Sequence, residues 1–318
     1  MNVLFHSNQL GLRGTEIALY DYAHYNETIL GNKSYIAAPE TGLLTSLDKF
    51  KNRFDVILYK SGQNLKNRCV ELGIDVAYFI KAGHNDGIML DGVKSVIHTV
   101  FQVNRPHGDV YAYVSEWLSD KMTGGQAPWV PHIVSLHDQA KTDEDFRDYL
   151  NIPKEALVFG YYGGETSFNI PEIRQAVDTI SKQNPNIYFM FMNSYKFVED
   201  RPNVFFFSGT TDLEQKVRFI NTCDACIHAR EGGESFGLTL GEFATAGKPC
   251  IVSTPKEGED SAHVNQLGDS AIFYQGAEDF SSKIYTFEEI RNSKPNWEGY
   301  RGFTPTKVMK RFEEVFLK

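Results

Sequence analysis

The chain has 318 residues, of which 42% are hydrophobic and 13% aromatic, and its formal net charge is -9. This composition is typical of a globular protein long enough to form two domains, each with its own core. The acidic balance argues against general electrostatic affinity for nucleic acid or for anionic membranes. No apolar run approaches the roughly 18 residues of a membrane span, and residues 1–10 lack the basic start of a signal peptide. We therefore expect a cytoplasmic protein without a membrane span.

Short apolar runs alternate with helical patterns along the chain, which predicts an α/β protein with parallel sheets. The first half contains six predicted strands, at residues 3–6, 34–38, 54–59, 76–80, 95–98 and 110–114. A polar and charged stretch follows at residues 135–155. We interpret it as a linker between a first domain, residues 1–134, and a second domain, residues 156–303.

The second half repeats the alternation of strands and helices. Strands are predicted at residues 156–162, 187–192, 204–207 and 224–228, and helices at residues 171–183 and 212–221. Thr304 and Pro305 are suited to the N-cap and the first turn of a last helix, residues 304–318.

The most informative segment is residues 231–251, EGGESFGLTLGEFATAGKPCI, which follows the strand predicted at residues 224–228. Ser235 is a suitable N-cap and Gly247 a suitable C-cap, so a helix is predicted over residues 236–246. A strand that passes through glycines into a helix presents free N–H groups and the positive end of the helix dipole. Such an arrangement favours the binding of a diphosphate.

Two carboxylates of this segment, Glu234 and Glu242, are eight residues apart. At helical rise they would lie about 12 Å from each other, so that one can reach a sugar ring while the other reaches a ribose. The alternative is that both are solvated helix residues, with Glu234 favoured by the dipole at the N-terminus.

The spacing Glu234-x7-Glu242, with the intervening Ser-Phe-Gly-Leu and the following Ala-x-Ala-Gly-Lys-Pro, resembles the EX7E motif of retaining GT-B glycosyltransferases, especially family 4. The resemblance implies that Glu234 contacts the donor sugar and that Glu242 binds the ribose. It also implies that the amides of Phe236, Gly237 and Leu238 face the sugar and the phosphates. The implied fold is GT-B, with two Rossmann-like α/β domains facing a central cleft. The first domain would lie on the acceptor side, the second would bind the donor, and the last helix would pack back on the first.

Other segments resemble the same family. Ser208 and Gly209 match the segment whose backbone lies beside the donor base, and Gly163 lies in the donor-domain loop after the first strand. In the first domain, Gly11 and Gly14 would let the loop after the first strand close over the phosphates, where Arg13 would pair with them. The alternative for this loop is a simple strand-to-helix turn.

His98, near the end of a predicted strand, falls where the family often places an active-site histidine close to the sugar. The resemblance therefore makes His98 a candidate catalytic residue. The alternative is a histidine whose ring is satisfied within the protein at the end of a strand.

One departure from the family concerns charge. Family 4 enzymes usually carry an arginine and a lysine shortly after the first strand of the second domain, where they neutralise the leaving diphosphate. Residues 160–169 contain neither. A departing diphosphate still needs compensating charge, and we assign it to Arg230, with Lys248 or Arg13 as alternatives.

Metal and redox chemistry have little support in the sequence. Asp143-x-Asp145 lies in a charged stretch instead of after a buried strand, so we interpret it as a solvated face. Cys223-x-x-Cys226 lies on a predicted buried strand without a second pair of ligands, which favours a structural role. No metal site and no cofactor are expected.

The sequence thus predicts a metal-independent, retaining glycosyltransferase that uses a nucleotide-diphosphate sugar as co-substrate. Two alternatives remain open: a sugar-nucleotide 2-epimerase of the same fold, and a catalytically degenerate module that only binds a nucleotide. The acceptor is not identified by the sequence, and either a glycan or, as a second option, a modified nucleic-acid base is compatible with it.

Overall fold

The computed structural model describes residues 1–294 and 296–318, and it divides into two compact units. One unit comprises Met1–Ile133 and Gly302–Lys318, and the other comprises Val134–Arg301. Each unit contains a six-stranded sheet whose neighbouring strands all run parallel. The predicted α/β class with parallel sheets is confirmed.

The first unit is built from alternating strands and helices. Its strands are β1 (Asn2–His6), β2 (Lys33–Pro39), β3 (Asp55–Tyr59), β4 (Val76–Lys81), β5 (Lys94–Thr99) and β6 (Val110–Tyr113). Its first helices are α1 (Gly14–Thr28), α2 (Leu47–Lys51), α3 (Gly62–Glu71) and α4 (Glu116–Thr123). The strand order in the sheet is β3-β2-β1-β4-β5-β6. All six residues of β4 are buried, as expected for a strand covered on both faces.

The second unit repeats this plan. Its strands are β7 (Leu157–Tyr162), β8 (Ile187–Met192), β9 (Val204–Phe207), β10 (Ala225–His228), β11 (Gly233–Glu234), β12 (Cys250–Ser253), β13 (Asp260–Ser261) and β14 (Ala271–Tyr274). Its helices are α5 (Leu136–Gln139), α6 (Pro171–Gln183), α7 (Leu213–Thr222), α8 (Leu238–Thr245), α9 (Ala262–Leu267), α10 (Gly276–Tyr285) and α11 (Phe287–Asn292), with a 3-10 turn at Gly268–Ser270. The main sheet has the order β14-β12-β10-β7-β8-β9, and β11 pairs with β13 apart from it.

Local sequence signals account for several of these helices. Pro171 opens α6, whose buried face carries Ile173, Val177 and Ile180 at helical spacing. The side chain of Asp212 caps α7 by accepting hydrogen bonds from the first-turn amides. Every helix in the described part of the chain is too short or too polar to cross a bilayer.

The stretch predicted as a linker, residues 135–155, belongs to the second unit. Its charged residues are not all solvated, because Arg147 forms an ion pair with Asp224 at 2.9 Å. The ring of Phe146 stacks on Phe207 with 6.0 Å between centroids. The charged sequence of residues 135–155 therefore did not reveal that this segment packs against the rest of the second unit.

The C-terminal segment forms α12 (Pro305–Phe312) and a π-helical turn (Glu313–Leu317), and it belongs to the first unit. The ring of Phe312 lies 6.0 Å from that of Phe5 and 5.2 Å from that of Tyr78. Aromatic packing on β1 and β4 therefore holds this segment in place.

In each sheet the strand order reverses direction once, between β1 and β4 in the first unit and between β10 and β7 in the second. The connections leave to opposite sides at such a switch point, and a crevice opens there beyond the carboxyl ends of the strands. The segment that carries Glu234 and Glu242 follows β10, so it starts at the switch point of the second unit.

Candidate active site

The segment after β10 is shaped by three glycines with left-handed backbone. Gly232, Gly233 and Gly237 have φ values of 85°, 68° and 82°, a region that side chains strongly disfavour. Gly233 is also held against Asp260 by the pairing of β11 with β13, so that a Cβ there would lie 1.8 Å from the Asp260 carbonyl oxygen. Only glycine fits at this position.

Glu234 lies in β11 with its carboxylate held on both oxygens. Its Oε1 is 3.1 Å from Nε2 of His228, the last residue of β10, and its Oε2 accepts a hydrogen bond of 2.7 Å from Nη1 of Arg230. Burial alone would raise the pKa of Glu234, but the charge of Arg230 and the hydrogen bond from His228 outweigh it and lower the pKa to about 2. The carboxylate is therefore ionised at neutral pH. It is also 18% exposed, which leaves it accessible to a ligand.

Arg230, predicted to compensate the diphosphate, has its charge already matched in this structure. The negative charge of Glu234 raises the pKa of Arg230, and together the two side chains carry no net charge. Lys248, the first alternative, donates to the carbonyl oxygens of Cys223 at 2.7 Å and Asn221 at 3.4 Å. Neither cation is free for an anion without giving up a protein contact.

Two further residues near Glu234, His263 and Tyr161, were not predicted from the sequence. The ring of His263 lies 5.7 Å from that of His228. Burial and the neighbouring His228 lower the pKa of His263 to about 4, so this ring is neutral at pH 7. Burial and the charge of Glu234 raise the pKa of Tyr161, in β7. Neither residue stands in a recognisable motif, because only the fold brings them to Glu234.

The helix predicted over residues 236–246 starts two residues later than expected. Helix α8 begins at Leu238, and its N-cap is Gly237 instead of Ser235. The cause is tertiary, because the carbonyl oxygen of Phe236 accepts a hydrogen bond of 2.6 Å from the hydroxyl of Tyr300. The amides of the first turn of α8 remain free of helical partners, as a phosphate-binding helix start requires.

Glu242 lies on the buried side of α8 and is 4% exposed. Its Oε2 accepts a hydrogen bond from the hydroxyl of Tyr162, the last residue of β7. Burial and the neighbouring Glu242 raise the pKa of Tyr162, which keeps this phenol protonated as a donor. The distance expected between Glu234 and Glu242 assumed one continuous helix, but only the part from Leu238 onwards is helical.

The other predicted donor residues of the second unit lie in loops at the carboxyl edge of the sheet. Gly163 follows β7, and its carbonyl oxygen accepts a hydrogen bond of 2.6 Å from Nδ2 of Asn193. A Cβ at Gly163 would lie 2.5 Å from the hydroxyl of Tyr161. Ser208 and Gly209 connect β9 to α7.

In the first unit, the predicted phosphate loop lies between β1 and α1. Arg13 is the exposed N-cap residue of α1, Gly14 is exposed, and Gly11 is buried. A Cβ at Gly11 would lie 3.3 Å from Cδ2 of Leu43, so this glycine also serves local packing.

His98 does not have the surroundings expected of a catalytic histidine. It is fully buried in the first unit, with Nδ1 2.7 Å from the hydroxyl of Tyr78 and Nε2 2.9 Å from the carbonyl oxygen of Val130. Burial lowers the pKa of His98 to about 3. Both ring nitrogens are satisfied within the core, and the ring of Phe316 lies 5.4 Å away. These contacts favour the alternative for His98, a histidine whose ring is satisfied within the protein at the end of a strand.

In the described part of the chain, no three side chains of histidine, cysteine, aspartate or glutamate come together as a metal site. Cys223 and Cys226 are buried, and burial raises the pKa of both thiols. This agrees with a structural role for that pair.

Comparison with known proteins gave matches only at the level of structure. No protein-family model matches the chain. No curated protein sequence matches it either. Solved structures, by contrast, align over nearly the whole chain.

A glycosyltransferase from Rickettsia africae ESF-5 aligns with a TM-score of 0.70 at 14% identity, covering 99% of this chain and 97% of the other. Anabaena Alr3699/HepE in complex with UDP-glucose aligns with a TM-score of 0.70 at 12% identity, covering 99% and 95%. A putative UDP-N-acetylglucosamine 2-epimerase from Listeria monocytogenes aligns with a TM-score of 0.64 at 9% identity, covering 98% and 94%.

The chain has the GT-B fold. The alignments include both six-stranded parallel sheets, which confirms the predicted fold class. At identities this low the likeness establishes the fold, while the chemistry depends on the residues of the site.

Proposed function

We propose that this chain is a metal-independent, retaining glycosyltransferase of the family 4 type that moves a sugar from a nucleotide-diphosphate donor to an acceptor. The observation that carries the proposal is the ionised carboxylate of Glu234, held by His228 and Arg230 beside a glycine-built loop. A carboxylate that stays charged and partly exposed can accept hydrogen bonds from sugar hydroxyls. The likeness to HepE with bound UDP-glucose supports a donor of this class.

Each part of the donor has a counterpart in the second unit. We assign the sugar hydroxyls to Glu234, the ribose hydroxyls to Glu242, and the phosphates to the N-terminus of α8 near Gly237. The base would lie beside the backbone of Ser208 and Gly209. Because Tyr162 donates to one oxygen of Glu242, the other oxygen is available to accept from the ribose.

In the proposed reaction the acceptor oxygen attacks the anomeric carbon on the face from which the diphosphate leaves. The bond from the anomeric carbon to the phosphate oxygen breaks, and the acceptor proton passes to that phosphate oxygen. The protein stabilises the charge that develops on the leaving group with fixed dipoles and cations. Metal independence is part of this proposal and is tested by turnover in the presence of EDTA.

A sugar-nucleotide 2-epimerase is the second candidate, because the putative epimerase from Listeria monocytogenes shares the fold. Such an enzyme would convert a UDP-sugar without any acceptor. A module that binds nucleotide without catalysis is the third candidate function. It is suggested by segment 160–169, which contains no basic side chain.

Incubation with a panel of nucleotide sugars, followed by NMR, separates the three. A glycosyltransferase slowly releases nucleoside diphosphate and free sugar even without its acceptor, and the anomer formed first reports retention. An epimerase gives the 2-epimer with the nucleotide still attached. A binding module gives no product, although the ligand raises the melting temperature by mass action.

The cellular location and the acceptor are part of the same proposal. All four cysteines are free and buried, as is typical of proteins in a reducing compartment, and we place the chain in the cytoplasm. The acceptor would be a glycan or, as a second option, a modified nucleic-acid base. Screening acceptors with the donor found above tests both classes.

A further inference from the structure

The first turn of α7 carries a buried lysine that no sequence motif singled out. Lys216 is 5% exposed, and its Nζ lies 5.7 Å from the centroid of the Tyr162 ring. This is the outer range of a cation–π contact. Among the described side chains, no carboxylate forms an ion pair with this ammonium group and no acceptor forms a hydrogen bond with it.

By contrast with Lys216, three other cationic side chains of the chain have hydrogen-bond or ion-pair partners. The equally buried Lys81 in the first unit forms an ion pair of 2.6 Å with Asp86. Arg230 is paired with Glu234, and Lys248 donates to two carbonyl oxygens. Lys216 differs from these cations, because no acceptor of the described residues bonds to its ammonium group, so its charge is free to meet an anion.

The position of Lys216 indicates which anion its ammonium group binds. Its ammonium lies over the ring of Tyr162, and the hydroxyl of the same tyrosine holds Glu242, the residue assigned to the ribose. In a nucleoside diphosphate the phosphates follow directly on the ribose. The ammonium therefore lies close to the part of the ligand that carries the negative charge.

We infer that Lys216 is the cation that binds the donor diphosphate and compensates its charge as it leaves, in place of the basic pair missing from residues 160–169. This inference rests on the proposed function and makes it more specific. It moves the compensating charge from Arg230, which is paired with Glu234, to a residue that forms no ion pair with the described side chains.

The test compares Lys216→Met with the wild type. Methionine keeps the length and the apolar stem of the side chain but removes the charge. Isothermal titration calorimetry with UDP, GDP and ADP identifies the nucleoside diphosphate that binds the wild type, and the matching nucleoside serves as the uncharged probe. We expect Lys216→Met to weaken diphosphate binding by about 10- to 100-fold and nucleoside binding by less than about 2-fold. Lys216→Arg should restore much of the loss.

Thermal unfolding without ligand provides the second readout. Lys216→Met should melt at about the same temperature as the wild type, because no ion pair is lost. The matched variant Lys81→Met should melt lower, because Asp86 loses its partner. Lys182→Met, at an exposed pair with Asp178, should match the wild type in both measurements.

The outcomes distinguish the inference from the function on which it rests. If the wild type binds a nucleoside diphosphate and Lys216→Met binds it equally well, Lys216 is not the diphosphate cation and the proposed function stands. If the wild type binds none of the three nucleoside diphosphates, both the inference and the proposed function are overturned.

Discussion

Both units contain buried ionisable side chains near the carboxyl ends of parallel strands. The two units differ in the groups that these side chains contact. In the first unit, His98 is bonded to Tyr78 and Val130, and Lys81 is paired with Asp86. In the second unit, the ionised Glu234 keeps part of its surface exposed, and Lys216 has no anionic partner among the described side chains. The same kind of sheet thus carries ionisable groups satisfied within the protein and, in the second unit, groups that we propose to contact a ligand.

The comparison teaches that burial and position at a strand end do not identify a functional residue. His98 and His228 are both buried at or near the end of a parallel strand. They differ in their partners, since His98 contacts two neutral groups while His228 contacts an ionised carboxylate. What a buried group contacts therefore decides between a structural and a chemical role.

The largest expected effect concerns the loop that carries Glu234. Gly233→Ala would place a methyl group 1.8 Å from the Asp260 carbonyl oxygen, so β11 and β13 must separate and nucleotide binding should be lost. Gly232→Ala is the matched control, because its φ is equally left-handed at 85° while no atom lies within 4 Å of the added group. It should cost only about 1 to 2 kcal/mol of stability. Calorimetry with the nucleoside diphosphate that binds the wild type and thermal unfolding measure both variants, and similar behaviour of the two would show that the pairing with Asp260 does not shape the site.

A pair of histidine variants tests the difference between the units directly. His98→Phe leaves the hydroxyl of Tyr78 and the carbonyl oxygen of Val130 without their partner, which should lower the free energy of unfolding by about 2 to 4 kcal/mol. Turnover per folded molecule should not change. His228→Phe should instead lower turnover by about 10-fold, because Glu234 loses one of the groups that hold it. Donor hydrolysis and urea unfolding on both variants check this, and a turnover loss in His98→Phe as large as in His228→Phe would return His98 to the site.

The ionisation of Glu234 should appear in the pH dependence of stability. Its pKa is lowered from an ordinary 4.5 to about 2 in the folded protein, so its charge stabilises the native state above pH 4.5. That contribution, about 3 kcal/mol, is lost as the pH falls from 4.5 towards 2. Glu234→Gln should therefore be less stable than the wild type at pH 7, with a gap that closes in acid. A gap that stays constant from pH 7 to about pH 3 would mean that Glu234 is not the ionised partner of Arg230 and His228.

A further expected effect is on ribose binding. Glu242→Ala should weaken binding of the nucleoside diphosphate and of the nucleotide sugar equally, by about 1.5 to 3 kcal/mol, because both ligands present the same ribose hydroxyls. Tyr162→Phe removes only the group that holds Glu242 and should produce a smaller loss. Calorimetry on folded variants decides it, and an unchanged affinity in Glu242→Ala would remove this residue from the site.

Much of the fold could be predicted because local signals agree with it. Proline at the start and buried residues at helical spacing gave the bounds of α6, and apolar runs gave those of β8 and β9. The start of α8 was wrong, because the contact between Tyr300 and Phe236 is invisible in the local sequence and moves the cap to Gly237. Strands β12 and β14 were not predicted from the sequence.

The candidate site could be predicted only where a motif concentrates it. Glu234 and Glu242 stand in one segment of sequence, whereas Tyr161, Tyr162 and His263 reach them through the fold. Lys216 lies on a helix with several charged neighbours, where a lysine normally faces solvent. It lies on the face of α7 that also buries Val217 and Ile220, and its charge is the reason that the sequence did not assign it to that buried face.

The most direct test of the central claim, that the carboxylate of Glu234 contacts the donor sugar, is a pair of affinities for Glu234→Gln. The amide keeps the size of the side chain but removes its charge, and only the nucleotide sugar presents hydroxyls to it. By calorimetry we expect the affinity for the nucleotide sugar to fall by about 10- to 100-fold, while the affinity for the nucleoside diphosphate changes by less than about 2-fold. Equal losses for both ligands, or no loss for either, would contradict the account by removing Glu234 from the sugar.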